Sequence, residues 1–290
     1  MSESEESGYE VRLAGGFFHE KVELAPAPLP DKNGGWTEGM RLGGIAFVSF
    51  VVACAGCSSK PATNTPTDPP GGGAQVRVLM LTATAGFRHD SINTARQVMT
   101  ALGAASGEFR VTMSDDVAGV TAATLANHDV LFFAMTSGEL PFTTDQRAAI
   151  LAFDSRGGGF LGTHSATDTL YGWPDYGTLV GAYFREHPWT QTAGVVVEDG
   201  AHPSTSMLGD RFTIEEEFYT FRENPRPRVH VLLRLDASSV GASGDYPLAW
   251  TSTYGSGRVY YNALGHFPAT WNDRRFQQQI AGAVRWTAGR

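Results

Sequence analysis

Between residues 76 and 164 the chain alternates short, continuous apolar runs with longer segments whose apolar positions recur every three or four residues. VRVLMLT (76–82), FRVTMS (109–114), DVLFFAM (129–135) and GFLGTH (159–164) are of the first kind and predict buried strands. HDSINTARQVMTALG is of the second: Ile92, Ala95, Val98, Met99 and Leu102 share one face behind a cap at Asp90 or Ser91 and before Gly103. A short helical piece is expected around Ala122 to Asn127. FTTDQRAAILAFDSRGGG predicts a further helix, with Thr143 and Gln146 at capping-box spacing and a glycine run to end it. Strands alternating with helices at this spacing imply an α/β fold, a doubly wound parallel sheet with helices on both faces.

Past residue 190 the rhythm changes. AGVVVE, RFTIEEEFYTF, VHVLLRL, YPLAWTSTY and GRVYYNALGH read as strands with few helices between them, and a helix returns only at DRRFQQQIAGAVRW. These strands are expected to extend the same sheet with antiparallel or mixed pairing. No linker-like tract follows residue 75, so residues 76–290 read as one domain. In such sheets ligands bind outside the carboxyl ends of the parallel strands. Three loops converge there, TATAGFRHDS, TSGELPF and HSATDT, offering Arg88, His89, Asp90, Ser137, Glu139, His164, Ser165, Thr167 and Asp168.

The N-terminal quarter has another character. MRLGGIAFVSFVVACAGC (40–57) places Arg41 before an apolar segment of about 14 residues, short for a bilayer span but suited to a signal-peptide core. SSKPATNTPTDPPGGGA follows as a flexible tether over residues 58–75. The combination resembles a bacterial lipoprotein signal, in which the cysteine after the cleavage point carries lipid. Cys57, followed by Ser58 and Ser59, is favoured over Cys54, which closes the more usual Val51-Val52-Ala53 pattern. Residues 1–39 are then expected to be a non-native or disordered extension ahead of a start at Met40; a cytoplasmic tail before a short anchor is the alternative. This reading places the protein at the bacterial cell envelope, held to the membrane by lipid and facing the periplasm or the exterior.

Charge and cysteine usage narrow the chemistry. The net charge is -8, and no Lys/Arg cluster with interleaved aromatics occurs, so no nucleic acid partner is expected. No cysteine follows Cys57, which excludes a thiolate nucleophile or a thiolate metal ligand from the domain. The glycine runs at 71–73 and 157–159 precede a strand and end a helix, the wrong setting for a phosphate loop.

GGGFLGTHSATDTLYGWPDYGTLVGAYFREHPW, EEFYTFRENPR and YPLAWTSTYGSGRVYYNALGHFPATW together resemble the ThuA-like, trehalose-utilisation family from about Val76 to the C-terminus. The resemblance implies a fold similar to class I glutamine amidotransferases and a role in carbohydrate metabolism. Those amidotransferases carry a catalytic cysteine at the apex of a strand-to-helix elbow, where this chain has His164, so a Cys-dependent amidotransferase is excluded. His164 is expected to serve as metal ligand, general acid/base or hydrogen-bond donor to a substrate oxygen. His89 lies on the same rim. His187-Pro188 and Gly265-His266 sit at element ends, where side chains point into loops. His202-Pro203 reads as a turn cap, and His128 and His230 as structural.

In IEEEFYTF, Glu215 and Glu217 share one strand face and Glu216 takes the other. Glu217 and Tyr219 match the family's Asp/Glu-Glu-x-Tyr motif. His164, Glu217, Tyr219 and His89 are therefore the catalytic candidates; His164, His187 and His266 are candidate ligands for a divalent metal such as zinc. Asp168, Trp173, Arg88 and Tyr246 are candidates for substrate binding, although Tyr246 stands where relatives often have histidine. Of Trp173, Trp189, Trp250, Trp271, Tyr171 and Tyr183, two or three are expected to line a carbohydrate site. Three functions remain open: an enzyme acting on a sugar or keto-glycoside by acid/base or metal-assisted chemistry, a non-catalytic sugar-binding lipoprotein, and a Ser165 hydrolase. Oligomeric state is left open.

Overall fold

The apolar runs of the first half form the parallel strands they predict. In the computed structural model, which describes residues 74–290, β1 (Val76–Leu81) leads through α1 (Ser91–Ser106) to β2 (Phe109–Ser114). Then come α2 (Ala122–Leu125), β3 (Val130–Ala134), α3 (Thr144–Ser155) and β4 (Gly159–Thr163). The signal segment and both cysteines lie outside the described residues, and among the described residues no helix is long and apolar enough to cross a membrane. Thr143 caps α3 through the expected box with Gln146. Asp90 occupies the cap position of α1 without a side-chain bond.

The second half adds α4 (Pro174–Val180), β5 (Phe184–Val197), β6 (Arg211–Phe221), β7 (His230–Leu235), β8 (Pro247–Tyr254) and β9 (Gly257–Asn262). Two helices, α5 (Pro268–Asn272) and α6 (Arg274–Thr287), close the chain. All nine strands make one sheet in the order β2-β1-β3-β4-β9-β8-β7-β5-β6. Pairing is parallel from β2 through β9 and antiparallel beyond, as the change of rhythm implied.

Two features differ from the pattern. β9, last in sequence, lies beside β4, with Phe160 opposite Val259 and Thr163 opposite Asn262. The carboxyl ends of β4 and β9 therefore adjoin at the centre of the sheet. β5 is also longer than AGVVVE suggests: it begins at Phe184 and pairs with β6 through register shifts on either side of Glu186. Its first half is largely exposed and polar, so no apolar alternation marks it as a strand. His187 and Pro188 thus lie within β5 and not in a loop.

The core runs along the centre of the sheet, where Phe132, Phe133, Phe160, Tyr260, Tyr261 and Trp250 are fully buried. Each such ring contributes about 1.5–3 kcal/mol of transfer free energy. Their polar atoms are paired inside: Trp250 Nε1 donates to the Val180 carbonyl at 3.0 Å, and the Tyr261 hydroxyl to the His164 carbonyl at 2.7 Å. The second of these bonds fastens the core to the elbow after β4.

Candidate functional site

β4 ends at Thr163, and the chain turns so sharply that His164 has φ of 49°. A β-carbon resists this left-handed region by ~1 kcal/mol or more, so surrounding contacts must hold it. Gly162 permits the turn: a β-carbon there would come within 3.2 Å of both Ala166 Cβ and the Tyr261 ring. His164 Nδ1 lies 2.8 Å from the Ala263 carbonyl just beyond β9. A carbonyl only accepts, so Nδ1 carries the proton and Nε2 presents a lone pair, as in a metal-ligating histidine oriented by its backbone partner.

Four other groups converge on that nitrogen. His89 Nε2 and Tyr219 Oη are each 3.0 Å from His164 Nε2, His266 Nδ1 is 3.3 Å away and Glu217 Oε2 is 3.5 Å away. Glu217 also meets His266 Nδ1 at 3.1 Å through Oε2, and His187 Nδ1 at 3.2 Å through Oε1. The ligand atoms of His89, His164, Glu217 and His266 all lie within 4.8 Å of one another. A tetrahedron with bonds of about 2.1 Å has edges near 3.4 Å; the contacts of 3.0, 3.1, 3.3 and 3.5 Å among these atoms match such an edge, and the wider pairs would have to draw in around one small divalent cation.

These residues arrive from four parts of the chain. His89 directly precedes the cap of α1, and His164 opens the turn after β4. His266 follows Gly265, whose φ of 126° is accessible to glycine. Glu217 and Tyr219 lie on one face of β6, five places from β4 in the sheet order, yet Tyr219 touches His164. The long β5–β6 hairpin therefore folds back over the carboxyl ends of the central strands.

The electrostatics suit a ligand set. Burial, reinforced by the neighbouring His164 and His266, drops the His89 pKa to about 3, leaving it as the neutral imidazole that binds metals. Burial opposes ionisation of Glu217, but the adjoining His164 and His266 imidazoles outweigh that and hold its carboxyl well below the usual range. Burial likewise works against a charged His266, and the hydrogen bond and charge of Glu217 prevail and raise its pKa. Asp168 is pushed up by burial despite a 2.6 Å bond from the Tyr171 hydroxyl. Burial also raises the Tyr219 phenol, which stays protonated and donates to His164.

The cluster opens into a cavity of about 290 Å³, lined by His89, Glu217, Tyr219 and His266 together with Asp168, His187, Phe87 and Phe184. A larger groove of about 530 Å³, bounded by Tyr183, Arg222 and Arg228, contains no imidazole. Chemistry and not volume distinguishes the smaller cavity.

His164, His89, Glu217 and Tyr219 are thus brought together, and Asp168 borders the same space. His187 does not belong to the convergent set: its half-exposed ring meets the other oxygen of Glu217, and His89 and Glu217 complete the group instead. Trp173 is 6% exposed, stacked on Tyr176 and beneath the Arg147 guanidinium, so it packs in the core and not in the cavity. Arg88 is exposed and Tyr246 is turned away, its hydroxyl donating to the Ser243 carbonyl and its ring edge-on to Trp189; neither lines the cavity. None of the six tryptophans and tyrosines expected to supply sugar-facing rings lines it; Phe87 and Phe184 do. Ser165 is fully buried outside the lining, 3.4 Å from His89 Nδ1, where it orients an imidazole and presents no nucleophile to the cavity. Glu216, set apart on the opposite face of β6, is fully buried and bonded to the backbone around His266. An aromatic residue in a polar rim loop was the sequence signal for Phe87; Glu216 had none beyond strand alternation.

The family model described as ThuA, trehalose utilisation, matches residues 77–287. No curated protein matches the chain. Among solved structures, a ThuA-like protein from Bacteroides uniformis is 23% identical with a TM-score of 0.63, the match covering 76% of this chain and 95% of that one. A ThuA-like protein from Parabacteroides merdae is 17% identical with a TM-score of 0.61, over 74% of this chain and 90% of its own. Both likenesses concern the fold, which is glutamine-amidotransferase-like; in this chain the elbow carries His164. With residues 77–287 matched, well over half of its length, the chain belongs to the ThuA, trehalose-utilisation family.

Proposed function

We propose that this protein binds a divalent cation, zinc foremost, on His89, His164, His266 and Glu217, and uses the adjoining cavity to act on a sugar or keto-glycoside. The observation that carries this reading is the convergence of three imidazoles and one carboxylate within 4.8 Å at one end of a cavity. Family membership supports a role in carbohydrate metabolism. A bound cation would supply Lewis acidity toward a sugar oxygen. Asp168 borders the cavity and is the carboxyl group placed to exchange a proton with a sugar oxygen, while ionised Glu217 stays with the cluster. Phe87 and Phe184 offer apolar faces to the C–H side of a ring.

The test is elemental analysis of the purified full chain beside its His164→Ala variant, followed by turnover of keto-glycosides. Stoichiometric metal lost in the variant, with metal-dependent turnover, supports the proposal. Metal-free protein that still cleaves keto-glycosides would transfer the chemistry to acid/base residues alone. Sugar binding without turnover would favour the non-catalytic reading.

The envelope location is proposed on the signal-like segment alone. Metabolic labelling with a fatty acid, lost in Cys57→Ala or in Cys54→Ala, would identify the lipidated residue, and no labelling of either would overturn the anchor.

A further inference from the structure

Glu216 lies between the candidate ligands and the core. It is fully buried on β6, and its neighbour Glu217 points the other way, into the cavity. Its Oε1 accepts from the Gly265 amide at 2.8 Å, the His266 amide at 3.1 Å and the Thr270 hydroxyl at 2.6 Å. Its Oε2 accepts from the Glu217 amide at 2.9 Å and again from the His266 amide at 3.3 Å. One carboxylate thus ties the backbone of one candidate ligand, Glu217, to the backbone of another, His266, although 49 residues separate Glu216 from Gly265.

The opposite side of the same loop is also held. The Gly265 carbonyl accepts from Ser91 Oγ at 2.9 Å and from Trp271 Nε1 at 3.0 Å. The path of the loop also depends on glycine at this position, since its φ of 126° is one that L side chains rarely adopt. The loop is gripped from its amide side by Glu216 and from its carbonyl side by α1 and α5. Hydrogen bonds to a buried carboxylate are stronger than neutral ones, and each orphaned amide would be left without water.

We infer that Glu216 is the positioning residue of the site, presetting the His266 imidazole and the Glu217 carboxylate against each other before any ligand arrives. It does not itself line the cavity and acts on it through the backbone of those two residues. The clamp is a property of the metal-free fold; the expectation for metal affinity rests on the cation reading above.

The test uses the full chain with Glu216→Ala, Glu216→Gln and Thr270→Val, read by amide hydrogen exchange without metal and by zinc affinity against a competing chelator. Glu216→Ala is expected to speed exchange at Gly265 and His266 selectively, with the β9 amides unchanged, and to weaken zinc by roughly 10–100-fold, the range for losing a group that orients a ligand. Glu216→Gln keeps one accepting oxygen but turns an NH2 donor toward backbone amides that also donate, and is expected to recover only part of both losses. Thr270→Val removes one donor, leaves the carboxylate in place and is expected to give a smaller loss. If Glu216→Ala does not fold, the other two variants decide. Unchanged exchange at Gly265 and His266 in the folded variants, or loss of protection spread evenly over the sheet, would overturn the inference. Wild-type protein that takes no zinc but shows the selective exchange change would remove the cation reading and leave the clamp standing.

Discussion

The sharpest consequence of the geometry is that His266 and His187, both bonded to Glu217, differ in what their loss does to metal affinity. His266 Nδ1 reaches Glu217 Oε2 at 3.1 Å and His164 Nε2 at 3.3 Å, inside the convergent set; His187 reaches only Oε1 and is outside it. A four-ligand structural zinc site is worth about 10–16 kcal/mol at neutral pH, so one ligand accounts for roughly 2.5–4 kcal/mol, or about 10²–10³-fold in Kd. The His266 side chain is 22% exposed, and water can enter where it is removed, which points to the lower end, ~100-fold for His266→Ala. His187→Ala loses an outer contact to Glu217, and a change under about 3-fold is expected, in keeping with a half-exposed ion pair. Zinc at ~100 times Kd adds about 2.7 kcal/mol to wild-type stability, which for a domain of this size raises Tm by roughly 5–10 °C. Chelator competition and thermal unfolding with and without zinc measure both quantities. Equal losses in the two variants, or no zinc-dependent Tm shift in wild type, would refute the assignment of ligands.

Other consequences concern stability and binding. Gly265→Ala places a side chain at a φ of 126° beside Trp271 and His164, and a loss of about 1–3 kcal/mol is expected by urea denaturation; an unchanged midpoint would show that the loop relaxes. Burial holds the His202 pKa at about 4, so the unfolded chain takes up a proton that the fold excludes: stability is full above pH 6.5 and is lost as pH falls toward 4, a slope that His202→Gln should reduce. Asp154 is buried with both carboxylate oxygens unpaired and its pKa raised by that burial, so its burden on the fold grows as pH rises. Asp154→Ala should accordingly stabilise the protein by ~1–3 kcal/mol at neutral pH, and a lower Tm would contradict this. Phe87 is 65% exposed at the cavity, so Phe87→Ala should leave Tm within about 2 °C while weakening sugar affinity, read by calorimetry.

Much of the architecture was legible because its causes are local. The run VRVLMLT, the 3.6-residue stripe from Ile92 to Leu102 and the Thr143–Gln146 box each specify an element within a dozen residues, and each element forms. The polar first half of β5 was illegible because it is a strand through pairing with β6, with no buried face of its own to write a pattern. His187-Pro188 was misplaced for the same reason. Trp173 shows a related limit: beside a rim motif, an aromatic ring reads as a sugar platform, and only packing against Tyr176 assigns it to the core.

The chain's order of residues determined by itself that the domain is a doubly wound α/β sheet, that it carries no cysteine, and that His164 stands at an elbow at the carboxyl end of its strand. Those conclusions rest on periodicity, composition and short turns, which act over a few residues. Tertiary structure decided that β9 returns beside β4 and that the β5–β6 hairpin folds over the strand ends, bringing His89, His164, Glu217 and His266 within 4.8 Å. It also decided that Glu216, on the face away from the cavity, grips the loop bearing His266. The reason is physical: the candidate cluster and the buried hydrogen bonds are relations between side chains as far as 177 residues apart, from His89 to His266, and the order of strands in the sheet sets those distances where local pattern cannot.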